Sequence, residues 1–485
     1  LIGGALDVSF HGDWNRASSL SQFAQAGFLR AKKAFLFQEL LLSRFPVKRA
    51  PEGPMMVVPV AFDITRLATR VLNLTPNGID RIDFAFARHF LDPARRARLA
   101  IMMTPLGPRA IAAAAARDIV EGISIHWGEE DTPEHDESYR RITAWIRGDA
   151  APSPAVHRIA RGRPHRTAGV LRWIGRHGLP LGRSPVAALP EGARYLNVSQ
   201  FPLWIARYFS WLNERPDVKA VFFIHDLLPI ETPEYFRKAE YERHVRRLVN
   251  LARFGAGAIV TTEVVKAALK RHLASLGRTG MPILVAPAPV APIFWRRDPV
   301  DPALADNPYF VTCGTIEPRK NHLMLLQVWR ELVSRDGAAA PKLVLIGSRG
   351  WENENAVDLL QRCPSISDHV IEVAGLSTPG LKRLLDGACA LLMPSFAEGY
   401  GLPVAEALAA GVPVIASDIP VFRETGGGRI TAMSPIDGEG WLETIRALAR
   451  FNPPERQTIR AECKRYEASA GSNYFAEVSG FLETL

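Results

Sequence analysis

Short apolar runs and longer segments with helical spacing alternate along most of the chain, in two successive blocks. In the first block the apolar runs are MMVVPVAF (55–62), RLAIMMT (98–104), RYLNV (194–198), KAVFFI (219–224), GAIVTT (257–262) and PILVA (282–286). Apolar runs of this length, continuous rather than alternating with polar residues, predict strands buried on both faces. Between them, residues 235–254 and 263–276 place apolar side chains three and four positions apart, which predicts helices. The alternation restarts with YFVTC (309–313), KLVLIG (342–347), HVIEVAG (369–375), ALLMP (390–394) and PVIAS (413–417). Strands that alternate with helices predict parallel sheets covered on both sides. The fold class expected is therefore α/β, with two Rossmann-like domains. In such sheets ligands bind beyond the carboxyl ends of the strands, so residues at those ends are where chemistry is sought.

Between the blocks lies a proline-rich joint, APAPVAPIFWRRDPVDPALADNP (286–308), whose composition suits a hinge. It divides a first domain at 55–290 from a second at 309–465, with 291–308 as linker. Residues 1–54 show no regular alternation and read as an extension; they lack the charged start and apolar core of a secretory leader. A long insertion at 123–190 is assigned to the first domain. GGGRITAMSP (426–435) reads as irregular, and 466–485 is expected to form a helix that crosses back to the first domain.

Composition adds limits. A length of 485 residues suits two or three domains, 47% hydrophobic and 22% charged residues are ordinary for a globular protein, and no run of about 18 apolar residues suggests a membrane span. Cys313, Cys363, Cys389 and Cys463 are scattered without a paired spacing, which fits a reduced, cytoplasmic setting better than a disulfide framework or a zinc site. The net charge of +9 is unevenly placed: residues 151–190 hold seven arginines, three histidines and no acid. Such a stripe suits either a solvated insertion or an anionic membrane surface. Without an aromatic-rich RNA signature or a zinc finger beside it, nucleic acid is not expected as a partner.

Candidate chemistry concentrates at the strand ends. Arg319 and Lys320 follow strand YFVTC at a helix start, where a planar fork and a compact ammonium can grip a diphosphate; alone, such a pair is more often a surface feature. KLVLIGSRGW brings Trp351 to the next strand end, where it reads as a core residue over the sheet edge rather than as a pocket wall. Gly375 ends HVIEVAG, an edge whose backbone groups could meet a flat base. The stretch FAEGYGLPVAEALAAG (396–411) places Glu398 in a loop and Glu406 one turn inside a helix. Gly399 and Gly401 permit a tight turn between them, and Pro403 suits the first helical position. Free amides at that helix start would suit a phosphate, and Glu406 could hold a ribose diol. In the first block, His225 and Asp226 follow strand KAVFFI directly, where a histidine can meet a sugar hydroxyl or carry a proton. Asn77–Gly78 begins a further helix, with Arg81 near the cleft. No phosphate-loop, serine-elbow or zinc-helix motif occurs, and Asp298–Asp301 reads as linker, so no metal is expected.

Taken together, these segments resemble a known family. EGYGLPVAE is similar to the paired-glutamate signature of the retaining GT4 glycosyltransferases, which have the GT-B fold. GTIEPRKNH resembles their donor-phosphate loop, IHDLLPIETPEYF their His-Asp segment, DITRLATRVLNLTPNGIDR their N-terminal glycine loop, and PVIASDIPVFRETGGG the segment after the second glutamate. The resemblance spans 55–450. It implies catalytic roles for Glu398, His225, Arg319 and Lys320. It implies donor contacts from Gly78, Gly314, Arg319, Lys320, Gly375, Gly399, Tyr400, Gly401, Leu402 and Glu406. By the same resemblance, the substrates are a nucleotide-diphosphate sugar and a glycan or lipid-linked glycan acceptor. The resemblance implies that the configuration is retained and that neither cofactor nor metal is needed; the sugar expected is a hexose, mannose-like in the first instance, with GDP-mannose and UDP-hexoses both open. The alternatives are another GT-B activity, such as an epimerase or phosphorylase, or an inactive binding relative.

Overall fold

A computed structural model describes residues 58–70, 76–94, 99–104, 107–128, 132–149, 158–160, 182–305, 307–450 and 473–485. The N-terminal extension at 1–54 and most of the basic stretch 151–190 lie outside the described residues.

The first sheet is built from β1 (Val60–Asp63), β2 (Leu99–Thr104), β3 (Gly107–Ala112), β5 (Arg194–Asn197), β6 (Lys219–Ile224), β7 (Gly255–Val260) and β8 (Ile283–Val285). The second holds β4 (Arg158–Ala160), β9 (Tyr309–Cys313), β10 (Lys342–Ile346), β11 (Val370–Ala374), β12 (Leu391–Met393), β13 (Val414–Ser417) and β14 (Thr431–Met433). Their orders are β3-β2-β1-β5-β6-β7-β8 and β14-β13-β12-β9-β10-β11-β4. Every pairing is parallel except β2 with β3, a hairpin that the sequence pattern did not predict. The arrangement is α/β in both halves, the GT-B architecture of two Rossmann-like domains.

The continuous apolar strands are buried on both sides. Along β6, Val221 and Phe223 enter one core with helices Gly78–Phe90 and Ala113–Trp127, while Ala220, Phe222 and Ile224 enter the core on the other face. A period of two with both phases apolar is the signature of a doubly covered sheet. β9 repeats the device, with Tyr309 and Val311 on one face and Phe310 on the other.

Two segments cross between the domains. Helix Glu137–Arg147 belongs to the insertion that the sequence assigns to the first domain, yet Tyr139, Ile142, Trp145 and Ile146 are buried with Tyr309, Val311 and Leu384 of the second. Lys342 Nζ donates to the carbonyls of Trp145 and Ile146, satisfying the end of that helix. β4, also from the insertion, pairs with β11 as an edge strand. This helix and β4 are thus built into the second domain, while Ile123, Trp127 and Leu189, at the two ends of the insertion, stay in the cores of the first. In the other direction, helix Tyr474–Thr484 presents Tyr474, Val478 and Leu482 at four-residue spacing to the first domain's core. Phe86 meets Tyr474 and Phe475 at ring-centroid distances of 5.7 and 5.3 Å, and Arg194 Nε donates to Leu482 O at 2.8 Å. The segment 426–435, expected to be irregular, contains β14, which pairs with β13 over Thr431–Met433.

Candidate functional site

The carboxyl ends of the two sheets face a cleft of about 500 Å³. Gly78, His225, Gly314, Arg319, Lys320, Gly375, Glu398, Gly399, Tyr400, Gly401, Leu402 and Glu406 all line it. Residues separated by more than 300 positions are therefore brought to one surface.

The charged centre comes from two loops of the second domain. Beyond β9, the single turn Pro318–Lys320 carries Arg319 and Lys320. Beyond β12, the loop carries Ser395 and Glu398. Arg319 Nη1 donates to Glu398 Oε2 at 2.8 Å, Lys320 Nζ donates to Glu398 Oε1, and Ser395 Oγ donates to the same oxygen at 2.9 Å. Arg319 Nε also lies 2.6 Å from Glu317 Oε1. Glu398 is 7% exposed. Burial opposes its ionisation, but Lys320 and Arg319 outweigh that and hold its carboxyl at about 2. Burial acts the same way on Lys320, whose pKa is lowered, with Arg319 adding to the effect. Burial raises the Glu317 carboxyl. Glu398 thus grips the two cations with both oxygens.

Helix Leu402–Ala409 follows with Gly401 as its N-cap at φ 83°, a left-handed conformation that favours glycine. Gly399 is required by proximity: a Cβ there would lie 2.8 Å from His225 O and 2.8 Å from Asp226 Cβ. Thr261 Oγ1 donates to Gly399 O at 3.3 Å, so the loop between the two glutamates lies against the first domain. Glu406 accepts from Arg81 Nη1 at 2.5 Å. Arg81 is held on helix Gly78–Phe90, whose start is fixed by Asn77 and Asp80 in a reciprocal capping box.

His225 is buried at the end of β6, with Nε2 2.8 Å from Val198 O. A carbonyl can only accept, so Nε2 carries the hydrogen and Nδ1 is the acceptor nitrogen. Burial lowers the pKa of His225 to about 4, and that of His322, behind Lys320, to about 3. Both imidazoles are therefore neutral at pH 7. In the unfolded chain each would bind a proton below about 6.5, so they contribute stability above that pH, lost as pH falls toward 4. Denaturant titrations at pH 7.5 and pH 5 should show a loss of roughly 2 kcal/mol per histidine. Replacing His322 with Gln should remove its share of that slope; an unchanged slope would contradict the assignment.

Several contacts were not legible beforehand. Trp351 lines the cleft instead of covering a sheet edge, and its Nε1 donates to Tyr235 O at 3.0 Å. Tyr235 and Phe396 stack across the domains at 5.7 Å. Glu424 accepts from the amides of Glu263 at 2.6 Å and Val264 at 3.3 Å, capping a helix of the first domain with a carboxylate of the second. An aromatic at a strand end and an acid on a helix carry no local mark of such partners. Among the described residues, no group of three or more His, Cys, Asp or Glu could hold a metal ion.

Two Rossmann-like domains, with a fixed Arg-Lys pair on one side of the cleft and a neutral histidine on the other, define a GT-B protein. Residues 307–450 match the sequence model of the family glycosyl transferases group 1. The serotype-specific mannosyltransferase WbdA of Escherichia coli is 30% identical over 230 residues, 42% of this chain and 26% of that protein. The O-antigen chain mannosyltransferase B of Escherichia coli is 29% identical over 230 residues, 45% of this chain and 58% of that protein. The chain thus spans about a quarter of the first relative's length and under two thirds of the second's. A crystal structure of Anabaena Alr3699/HepE in complex with UDP superposes with a TM-score of 0.49 at 14% identity, covering 72% of this chain and 97% of that one.

Proposed function

We propose that the protein moves a mannose-like hexose from a nucleotide-diphosphate sugar to a growing polysaccharide or lipid-linked oligosaccharide. In this reading the anomeric configuration is retained and no metal ion takes part. The observation that carries it is the half-buried Arg319–Lys320 pair, held by Glu398 and faced across the cleft by His225. Cleaving the bond from sugar to diphosphate develops negative charge on the departing oxygen. Cations already fixed at that point stabilise it without reorganising. The amides from Gly399 to Leu402 add donors at a helix start. His225, with Nε2 committed to Val198 O, presents an acceptor to a sugar hydroxyl. Glu406 meets the ribose while holding Arg81, which ties the donor to the first domain. The mannosyl preference rests on the names of the two Escherichia coli relatives.

The same reading places the protein in the cytoplasm, with the basic stretch 151–190 toward an anionic membrane surface. Among the described residues no helix is long and apolar enough to cross a membrane.

Thermal unfolding with GDP, UDP and their hexose conjugates, in EDTA, tests donor binding. One nucleotide series at a hundredfold excess over its Kd should stabilise the protein by about 2.7 kcal/mol. No shift with any of them would overturn the reading.

A further inference from the structure

One carboxylate of the insertion reaches the wall of the cleft from behind. Asp136 is 0% exposed and caps helix Glu137–Arg147, with Oδ1 accepting from Ser138 N at 2.9 Å and Tyr139 N at 3.3 Å. Its other oxygen, Oδ2, accepts from Ser377 N at 2.8 Å. Ser377 is itself the N-cap of helix Thr378–Gly387, its Oγ accepting from Gly380 N at 3.1 Å. A single carboxylate thus lies at the start of two helices, one from the insertion and one from the second domain, where both helix ends favour negative charge. The fit is close: a Cβ on Gly380 would come within 3.0 Å of Asp136 Oδ2.

The residues next to Ser377 are Gly375 and Leu376, and both line the cleft. They follow β11, which lies two strands from β9, the strand that leads to Arg319 and Lys320. Two strand spacings are about 10 Å, on the scale of a nucleoside between its base and its diphosphate. If Arg319 and Lys320 hold the diphosphate, the turn at Gly375–Leu376 meets the base, and its shape decides how that base is held.

We propose that Asp136 is a positioning residue for the donor nucleobase. It sets the Gly375–Ser377 turn, so a residue of the insertion shapes the part of the cleft wall that β11 supplies. The proposal rests on the nucleotide-sugar reading of the cleft. Its chemistry is selective: the turn is tied to base recognition, while the diphosphate grip depends on Arg319, Lys320 and Glu398, none of which touches Asp136.

Two variants and two ligands test it by calorimetry on the full chain. The amide of Asp136→Asn has one acceptor oxygen, so it can serve its own helix or Ser377 but not both. Asp136→Ser keeps an N-cap group but is too short to span to Ser377. Both should weaken binding of the preferred nucleoside diphosphate about tenfold and leave inorganic pyrophosphate binding within a factor of two of wild type. Parallel weakening of both ligands would make Asp136 a general structural support and overturn the proposal. Unchanged nucleotide binding in both variants would overturn it as well. Wild-type protein that binds no nucleoside diphosphate would instead overturn the underlying reading, and this proposal with it.

Discussion

Replacing Arg319 with alanine is expected to lower hexosyl transfer about 10²–10³-fold, the loss typical of removing one fixed donor to a developing oxyanion. Its guanidinium is bound on two sides, with Nη1 on Glu398 and Ala397 O and Nε beside Glu317. Burial works against its charge, but Glu398 and Glu317 more than compensate and raise its pKa further, so it stays cationic throughout the working pH range. The substitution therefore removes a permanent charge that is fixed in place at the wall of the cleft. Arg319→Lys separates charge from shape: it keeps the cation but cannot bridge Glu398 and Glu317 with a planar fork, and should recover only part of the rate. Steady-state rates with saturating donor check both. A full rate in Arg319→Ala would place the leaving group elsewhere.

The second large effect is on stability. Glu398→Gln should destabilise the fold by about 3–5 kcal/mol at pH 7, because it leaves two half-buried cations facing a buried neutral amide. The sign with pH follows from a folded carboxyl held at about 2. The unfolded carboxyl titrates near 4.3, so the contribution is complete above that pH and is lost as pH falls toward 2. Urea titrations of the two proteins should differ most at neutral pH and converge in acid. Equal stability at pH 7 would show that Glu398 does not anchor the pair.

Much of this arrangement was legible because it is written locally. β9 to β13 are predominantly apolar runs, and the residues that follow them stand at the cleft because parallel strands all end on one side. Strand β3 (GPRAIA) lacked a sustained apolar run and was missed, since its pairing with β2 decides its conformation. The insertion was harder. Tyr139, Ile142, Trp145 and Ile146 announce an amphipathic helix, but nothing in their spacing says which domain supplies the other half of the core. The same limit applies to pairs. Arg81 and Glu406 lie 325 positions apart, so each is legible as a cleft residue near a helix start while their pairing is not. The loop position of Glu398 is legible, but its two cationic partners lie on another loop; its carboxylate pairs with Arg319 and Lys320 because a buried charge needs partners. Trp351 resembled a core residue by type; its hydrogen bond to Tyr235 O places it at the junction of the domains.

The most direct test follows donor turnover by NMR, with GDP-mannose and the UDP-hexoses offered separately in EDTA to wild-type protein and to Arg319→Ala, each with a mannan-type oligosaccharide acceptor. With wild-type protein, one donor should release its nucleoside diphosphate and yield a product of unchanged anomeric configuration, while Arg319→Ala should release less than about a hundredth as much. Release of no nucleoside diphosphate from any donor, or equal release by the two proteins, would contradict the account.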